Sequence, residues 1–367
     1  LDSRSILHEP QSLEELAQSL KLSVDELISQ RDSLAEQLFK HRSARVHPLR
    51  DEKIITAWNA LMITAFAEAS RTLKAPRFHE AALKAAEQLW KSARKDAGEL
   101  WRTQFDGRPS IDARQQDYAY LAEALIAVYD ITEDRQWLER AEETANAMIE
   151  HFWDEKAGGF FMARVDEYSK HMVVRPKDLY DSSMPTGNSV AMHVLTQLHT
   201  RTGKPDYDDY ADRLIAFFAG SLSERPGGHY YLLTGISDHL HGEVGSMRYA
   251  ARGLVKASAT RSNDNQLSIR IDVAPGWHIN SNQPYQDYLI PTEISGESAK
   301  LDNIRYPAAI DRQLGFERSL LSLYEGSVVV TADVKSAPVN KIQTRLQACS
   351  DEICLPPETL TLHLPFE

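Results

Sequence analysis

Three stretches of this chain repeat one another, and the repeat limits the possible folds more than any other feature. They begin Trp58-Asn59-Ala60-Leu61, Asp117-Tyr118-Ala119-Tyr120 and Gly187-Asn188-Ser189-Val190, and they align without gaps. Each opens an apolar helical run that ends at a matching position: Leu73, Thr132 or Thr202. A short polar turn follows, then an aromatic residue at the same offset, Phe78, Trp137 or Tyr207. A second helix comes next, with one-sided spacing such as Leu138, Ala141, Ala145, Met148 and Phe152. The copies are offset by 59 and 70 residues, so the variable part is the connection between helical pairs. Such hairpins bury their apolar faces only by stacking on neighbours. The first helix of a pair is apolar nearly all round, as in Leu121, Ala122, Ala124, Leu125, Ile126, Ala127 and Val128, whereas the second is one-sided. That contrast predicts an inner and an outer ring, an α/α toroid. Its long connections, with strand-like pieces at 100–105 and 158–162, roof one end of a central cavity.

Ahead of the array, residues 12–43 read as two helices. Ser12 and Ser23 are their N-caps, with Glu15 and Glu26 three residues on. From about Tyr249 the helical period gives way to alternation. Residues 253–260, 266–273, 327–334, 341–346 and 359–364 read as strands, with Pro and Asn clustered between such runs. We expect a multidomain α plus β protein, with a partial (α/α)6 toroid at 1–242 and an antiparallel β-sandwich at 247–367. A composition of 42% hydrophobic and 26% charged residues suits a globular chain, and a net charge of −12 argues against a nucleic-acid surface. No apolar run approaches the roughly 18 residues that would span a membrane. The chain opens on Leu1 without a signal-peptide pattern, which suggests a fragment or processed product.

Two sets of residues could carry chemistry. Both cysteines lie in Gln347-Ala348-Cys349-Ser350-Asp351-Glu352-Ile353-Cys354-Leu355-Pro356-Pro357. Their spacing suits a turn between strands and leaves two readings open. The pair can open and close without unfolding its domain, or it is a static staple worth about 2–3 kcal/mol. The second set lies at the starts of the inner helices. It comprises Asp51, Lys53, Trp58 and Asn59, then Asp117 and Tyr118, then Asp181 and Asn188. Carboxylates and aromatic residues around one cavity suit a saccharide ligand, and two carboxylates could serve as general acid and base. The competing reading is that Asp117, Asp181, Thr186 and Asn188 are caps and turn formers. His239 and His241 have no Cys or Glu at ligand spacing, so we expect no metal, and nothing points to a cofactor. His278 reads as a strand-end histidine.

The run from Arg45-Val46-His47-Pro48-Leu49-Arg50-Asp51-Glu52-Lys53 to Trp58-Asn59-Ala60-Leu61-Met62-Ile63 resembles the YyaL / spermatogenesis-associated-protein-20-like family of thioredoxin-domain-containing proteins. Asp117-Tyr118-Ala119 and Met184-Pro185-Thr186-Gly187-Asn188-Ser189 match two further family stretches. The resemblance covers about residues 1–240. It implies a six-hairpin toroid related to N-acylglucosamine 2-epimerases and six-hairpin glycosidases, preceded in family members by a thioredoxin-like domain. Only about eight of the twelve helices of a closed ring are present here, so the ring should be open or completed by a partner.

Gly276-Trp277-His278-Ile279-Asn280, Ile290-Pro291-Thr292 and the cysteine stretch resemble the N-terminal periplasmic domain of the thiol:disulfide interchange protein DsbD. The resemblance implies an immunoglobulin-like sandwich in an extracytoplasmic compartment. Cys349 and Cys354 would be its redox pair, serving a thioredoxin-like partner, and a loop near 313–319 with Phe316 would cap them. The loop between the cysteines is shorter here than in that family. Asp351 and Glu352 between the thiols should raise their pKa values, which predicts a weak oxidant that needs an activated partner. The leading expectation is thiol–disulfide exchange. The alternatives are a carbohydrate-active or sugar-binding protein and a protein-interaction scaffold.

Overall fold

The computed structural model describes residue 8 and residues 10–95, 98–165, 174–262, 266–297, 301–314, 319–334 and 340–364. The chain divides into two compact units, Leu1–Glu52 and Lys53–Glu367. In the first, α1 (Leu13–Leu20) and α2 (Val24–Ser43) each begin with a complete capping box. The hydroxyls of Ser12 and Ser23 accept from the amides of Glu15 and Glu26, whose carboxylates accept from the serine amides in return. These exchanges satisfy amide donors that a helix start leaves unpaired.

The second unit opens with β1 (Ile54–Ile55), α3 (Thr56–Leu73) and α4 (Pro76–Ala93). A hairpin of β2 (Trp101–Phe105) and β3 (Arg108–Asp112) leads to α5 (Gln115–Thr132) and α6 (Arg135–Phe152). Then come α7 (Gly187–Thr202), α8 (Pro205–Glu224) and α9 (Tyr230–His241). Helices α3, α5, α7 and α9 pack side by side in one row, and α4, α6 and α8 each cover their hairpin partner from outside. The contrast in apolarity is the cause. Helix α5 is buried on every side from Tyr118 to Val128, whereas α6 buries one stripe: Trp137, Leu138, Ala141, Ala145, Met148 and Phe152. These helices form an open arc, a partial α/α toroid. At α3 the row ends with Trp58, Leu61 and Met62 exposed.

One strand-like piece takes another form. Residues 158–162 make only the single bridge Trp153–Phe160, because Gly158 and Gly159 sit at φ 76° and 73° and turn the backbone out of the extended region.

The sandwich is built from β4 (Met247–Ala250), β5 (Val255–Arg261), β6 (Gln266–Val273), β7 (His278–Asn280), β8 (Glu293–Gly296) and β9 (Leu301–Arg305). It continues with β10 (Ile310–Arg312), β11 (Leu321–Tyr324), β12 (Ser327–Val334), β13 (Lys341–Leu346), β14 (Ala348–Cys349) and β15 (Glu358–His363). One layer is the sheet β4-β5-β6-β12-β9. The other is split into β10-β11-β7-β14 and β15-β13-β8, and every pairing is antiparallel. Alternate residues such as Leu267, Ile269 and Ile271 meet Ile279, Ile342 and Leu362 in one core, as an immunoglobulin-like sandwich requires.

The arc and the sandwich meet at the end of α7. The Arg201 guanidinium is buried there between the carboxylates of Asp130 and Glu243, at 2.7 and 2.8 Å. The Tyr249 hydroxyl of β4 also donates to Asp130 at 3.0 Å. Gly253, at φ 82°, brings the β4–β5 turn so close that a Cβ there would lie 2.0 Å from the Arg201 carbonyl oxygen.

Candidate functional site

Strand β13 runs between β15 and β8. At Gln347 the chain leaves that sheet, and β14 joins the edge of the other one beside β7. The cysteines sit on this crossing. Cys349 is paired across the strands with His278 and joined by a disulfide to Cys354. The loop between them is held by backbone. The Ser350 amide donates to the Ile353 carbonyl at 2.8 Å, and the Ser350 hydroxyl accepts from the amides of Glu352 and Ile353. The Leu355 amide closes the turn on the Ala348 carbonyl.

The two halves of the bond face different surroundings. Cys349 is 1% exposed, whereas Cys354 lies on the surface beside exposed Ile353. His278 is buried, and burial holds its imidazole below the ordinary range against the opposing pull of Glu325 and Asp351. It is therefore a neutral ring at pH 7. As the sequence suggests, it stands at a strand end, but that reading missed what the strand register decides, its place opposite Cys349. Phe316 and the rest of 315–318 lie outside the described residues. Beside that segment, Leu314 packs with Leu321 and Leu323.

The starts of the inner helices are brought to one end of the arc by hydrogen bonds between them. The Asp117 carboxylate accepts from the Ala57 amide of α3, at 3.2 Å. Gln115 donates its amide to the Gly187 carbonyl at the start of α7, at 3.0 Å. Asp181 accepts from the Thr186 amide and from the Tyr231 amide of α9, both at 2.9 Å. Asn188 clamps both backbone groups of Phe160, and Tyr118 accepts from the Leu100 amide.

Asp117 is buried and also ion-paired to Arg102 at 2.9 Å. Burial pushes its carboxyl up, against the Arg114 amide and Arg102, which pull it down. These five side chains thus hold the loops, and a small pocket of about 70 Å³ beside Gln115 is lined by Arg102, Arg114 and Asp178 among others. Trp58 is 59% exposed, with Lys53 and Asn59 also at the surface, and Asn59 donates to the Ile55 carbonyl. Asp51 belongs to the first compact unit.

Sequence reading missed a second polar cluster farther along the row. Glu123, hidden in the apolar run of α5, accepts from the Tyr231 hydroxyl at 2.5 Å. His193 hydrogen-bonds the Tyr231 carbonyl and lies 3.7 Å from Asp238. Burial pushes Glu123 upward, and burial with Glu243 nearby raises Asp238 to about 6. A single Glu among alanines and leucines gives no local sign that a tyrosine 108 positions away will bind it. Among the described residues no group of three His, Cys, Asp or Glu could hold a metal ion.

Fold and site together define a class: a helical-hairpin body joined to a β-sandwich that carries a disulfide on its edge. Comparison with known proteins gives the same division. Residues 250–365 match the family model for the N-terminal part of thiol:disulfide interchange protein DsbD. Residues 51–171 match the model for N-acylglucosamine 2-epimerase. Human spermatogenesis-associated protein 20 is 30% identical over 235 residues, which cover 62% of this chain and 30% of the human protein. A Caenorhabditis elegans protein is 29% identical over 278 residues, 72% of this chain and 37% of that protein. The chain thus spans about a third of the length of the curated relatives it matches.

Among solved structures, cellobiose 2-epimerase from Spirochaeta thermophila is 17% identical, at a TM-score of 0.42 over 52% of this chain and 54% of that one. The reduced DsbD N-terminal domain of Neisseria meningitidis is 14% identical, at a TM-score of 0.24 over 29% of this chain and 82% of that one. No helix among the described residues is long and apolar enough to cross a membrane.

Proposed function

We propose that the C-terminal sandwich exchanges disulfides with a thioredoxin-like partner through Cys349 and Cys354. The asymmetry of the pair carries this reading: the bond lies on an edge strand, with one cysteine buried and the other within a partner's reach. The match to the DsbD N-terminal model supports it. A partner thiolate attacks Cys354 Sγ, the bond to Cys349 breaks, and its electron pair leaves on Cys349, which takes up a proton. The partner's second thiolate then attacks its own sulfur in the mixed disulfide and releases Cys354. Two electrons have then passed to the sandwich, and the reverse sequence hands them on. Neutral His278 places no fixed positive charge against the buried sulfur, and Asp351 and Glu352 lie between the cysteines, so the exchange depends on an activated partner thiol. An extracytoplasmic compartment suits a disulfide kept for such exchange.

The test is mass spectrometry of the alkylated chain before and after incubation with reduced thioredoxin under native conditions. Two alkyl groups gained only after incubation support the exchange. A pair that stays unlabelled until the chain is denatured in reductant leaves the staple alone. We place the domain limits at 1–242 and 247–367, because the connection between α9 and β4 falls there, with Leu1–Glu52 a compact unit of its own within the helical part.

The second reading, a saccharide ligand at the inner-helix starts, is favoured by the exposed Trp58 beside Asn59 and by the epimerase-model match. An aromatic face of this kind stacks on a sugar. Lys53 and Asn59 would flank Trp58 at the surface, and Asp117, Tyr118, Asp181 and Asn188 would support the site from behind by holding its loops. Saturable quenching of tryptophan fluorescence by a mono- or disaccharide, lost in Trp58→Phe, supports it. No quenching across a glycan panel removes it.

A further inference from the structure

We propose that the cleft between the end of α3 and the sandwich binds a small organic oxyanion, one carrying phosphate or several carboxylates on a compact carbon body. The cleft has a volume of about 580 Å³, enough for such a molecule. Its lining among the described residues includes Arg71 and Lys74 from the helical arc and Arg261, Lys341 and His363 from the sandwich, and none of those thirteen residues is acidic. The bias stands out in a chain with 53 acidic and 41 basic residues.

The cations come from separate elements, the last turn and cap of α3 and the ends of β5 and β13, and converge with His363 of β15 only in the folded unit. Two of them, Arg71 and Lys341, hold Glu68 and Glu297 in surface pairs at 2.6 and 3.1 Å. Pairs so exposed contribute little and exchange readily for a ligand anion. Lys74 makes no ion pair with a described residue, and its backbone forms the left-handed cap of α3 at the cleft edge.

Burial first, then Lys341 and Arg248, hold the His363 imidazole below its ordinary range against the opposing pull of Glu297, so it offers a neutral hydrogen-bonding ring at the cleft. The Thr260 and Ser246 hydroxyls and the Asn340 amide offer hydrogen bonds, while Ala259 and Leu364 supply an apolar floor for the carbon part. The site does not use the cysteines, so it is independent of the exchange reaction.

Calorimetric titration of the full chain in 150 mM salt, near the ionic strength of physiological buffers, tests this with two probes, inorganic pyrophosphate and citrate. We expect saturable one-to-one binding of at least one probe. The probe that binds more tightly distinguishes a phosphate-bearing ligand from a carboxylate-bearing one. The double variant Lys74→Glu/Lys341→Glu should weaken that binding at least tenfold, and Lys341→Arg should keep it within about threefold. Circular dichroism identifies any variant that has merely unfolded. Absence of saturable binding of both probes, or equal binding by the folded double variant, overturns the proposal.

Discussion

Cys349 and Cys354 are the same residue type five positions apart, yet the fold gives them different environments. In the reduced chain, Cys354 in a Cys349→Ser variant should alkylate at least ten times faster than Cys349 in Cys354→Ser. Only Cys349→Ser should accumulate a stable mixed disulfide with thioredoxin, as read by non-reducing electrophoresis. Equal labelling rates would mean that the burial difference does not govern access. Asp238 is a second residue whose chemistry is set by its place. Its folded pKa of about 6 lies above the ordinary aspartate range, so its stabilising contribution is complete below about pH 4. That contribution is lost as pH rises toward and through 6, when a half-buried charge must be carried. Asp238→Asn should therefore be more stable than the parent at pH 8, by about 1 kcal/mol once solvent screening is allowed. The gain should vanish near pH 4, which urea unfolding at the two pH values reads directly.

At the scale of elements, the decisive contact is α7 against the β4–β5 turn. Arg201 balances Asp130 and Glu243 in the interior, and Arg201 in turn holds the Glu243 carboxyl below its usual range although burial opposes it. Arg201→Met leaves two carboxylates without their cation and should cost about 3–5 kcal/mol at pH 7. The loss should shrink in acid as the carboxylates protonate, a trend that thermal melts across pH can follow. Gly253→Ala fails for a different reason. A Cβ at φ 82° would strike the Arg201 carbonyl, a backbone atom that cannot step aside, so we expect at least about 1–3 kcal/mol of destabilisation, independent of pH.

The helical repeat was legible in the chain because apolar period and helix ends are local. Leu73, Thr132 and Thr202 end α3, α5 and α7 as the alignment indicates. The strands at 266–273, 327–334 and 341–346 alternate over six to eight residues, and they appear where alternation places them. The short strands β8 to β11 have three to five residues each, too few for a period to show.

For the whole molecule, the question is whether the arc and the sandwich behave as one cooperative body. They share the second compact unit, and Arg201, Tyr249 and Gly253 tie them together. Unfolding in denaturant should therefore follow one transition, whether read by helical circular dichroism or by pulsed alkylation of the reduced cysteines in the sandwich. Two separated midpoints would show that the junction does not couple them.

The residue sequence by itself determined the hairpin array, the switch from helical to alternating period, and the presence of one close cysteine pair, because each is written in spacings shorter than a helix or strand. Tertiary structure alone decided that Cys349 is hidden opposite His278 while Cys354 is exposed, and which loops and neighbouring helices Asp117, Asp181 and Asn188 fasten at the helix starts where the repeat already puts them. It alone gathered Lys74, Arg261 and Lys341 around one cleft. Those outcomes depend on which sheet a strand joins and which helices become neighbours, through contacts between residues tens to hundreds of positions apart, and no local pattern encodes them.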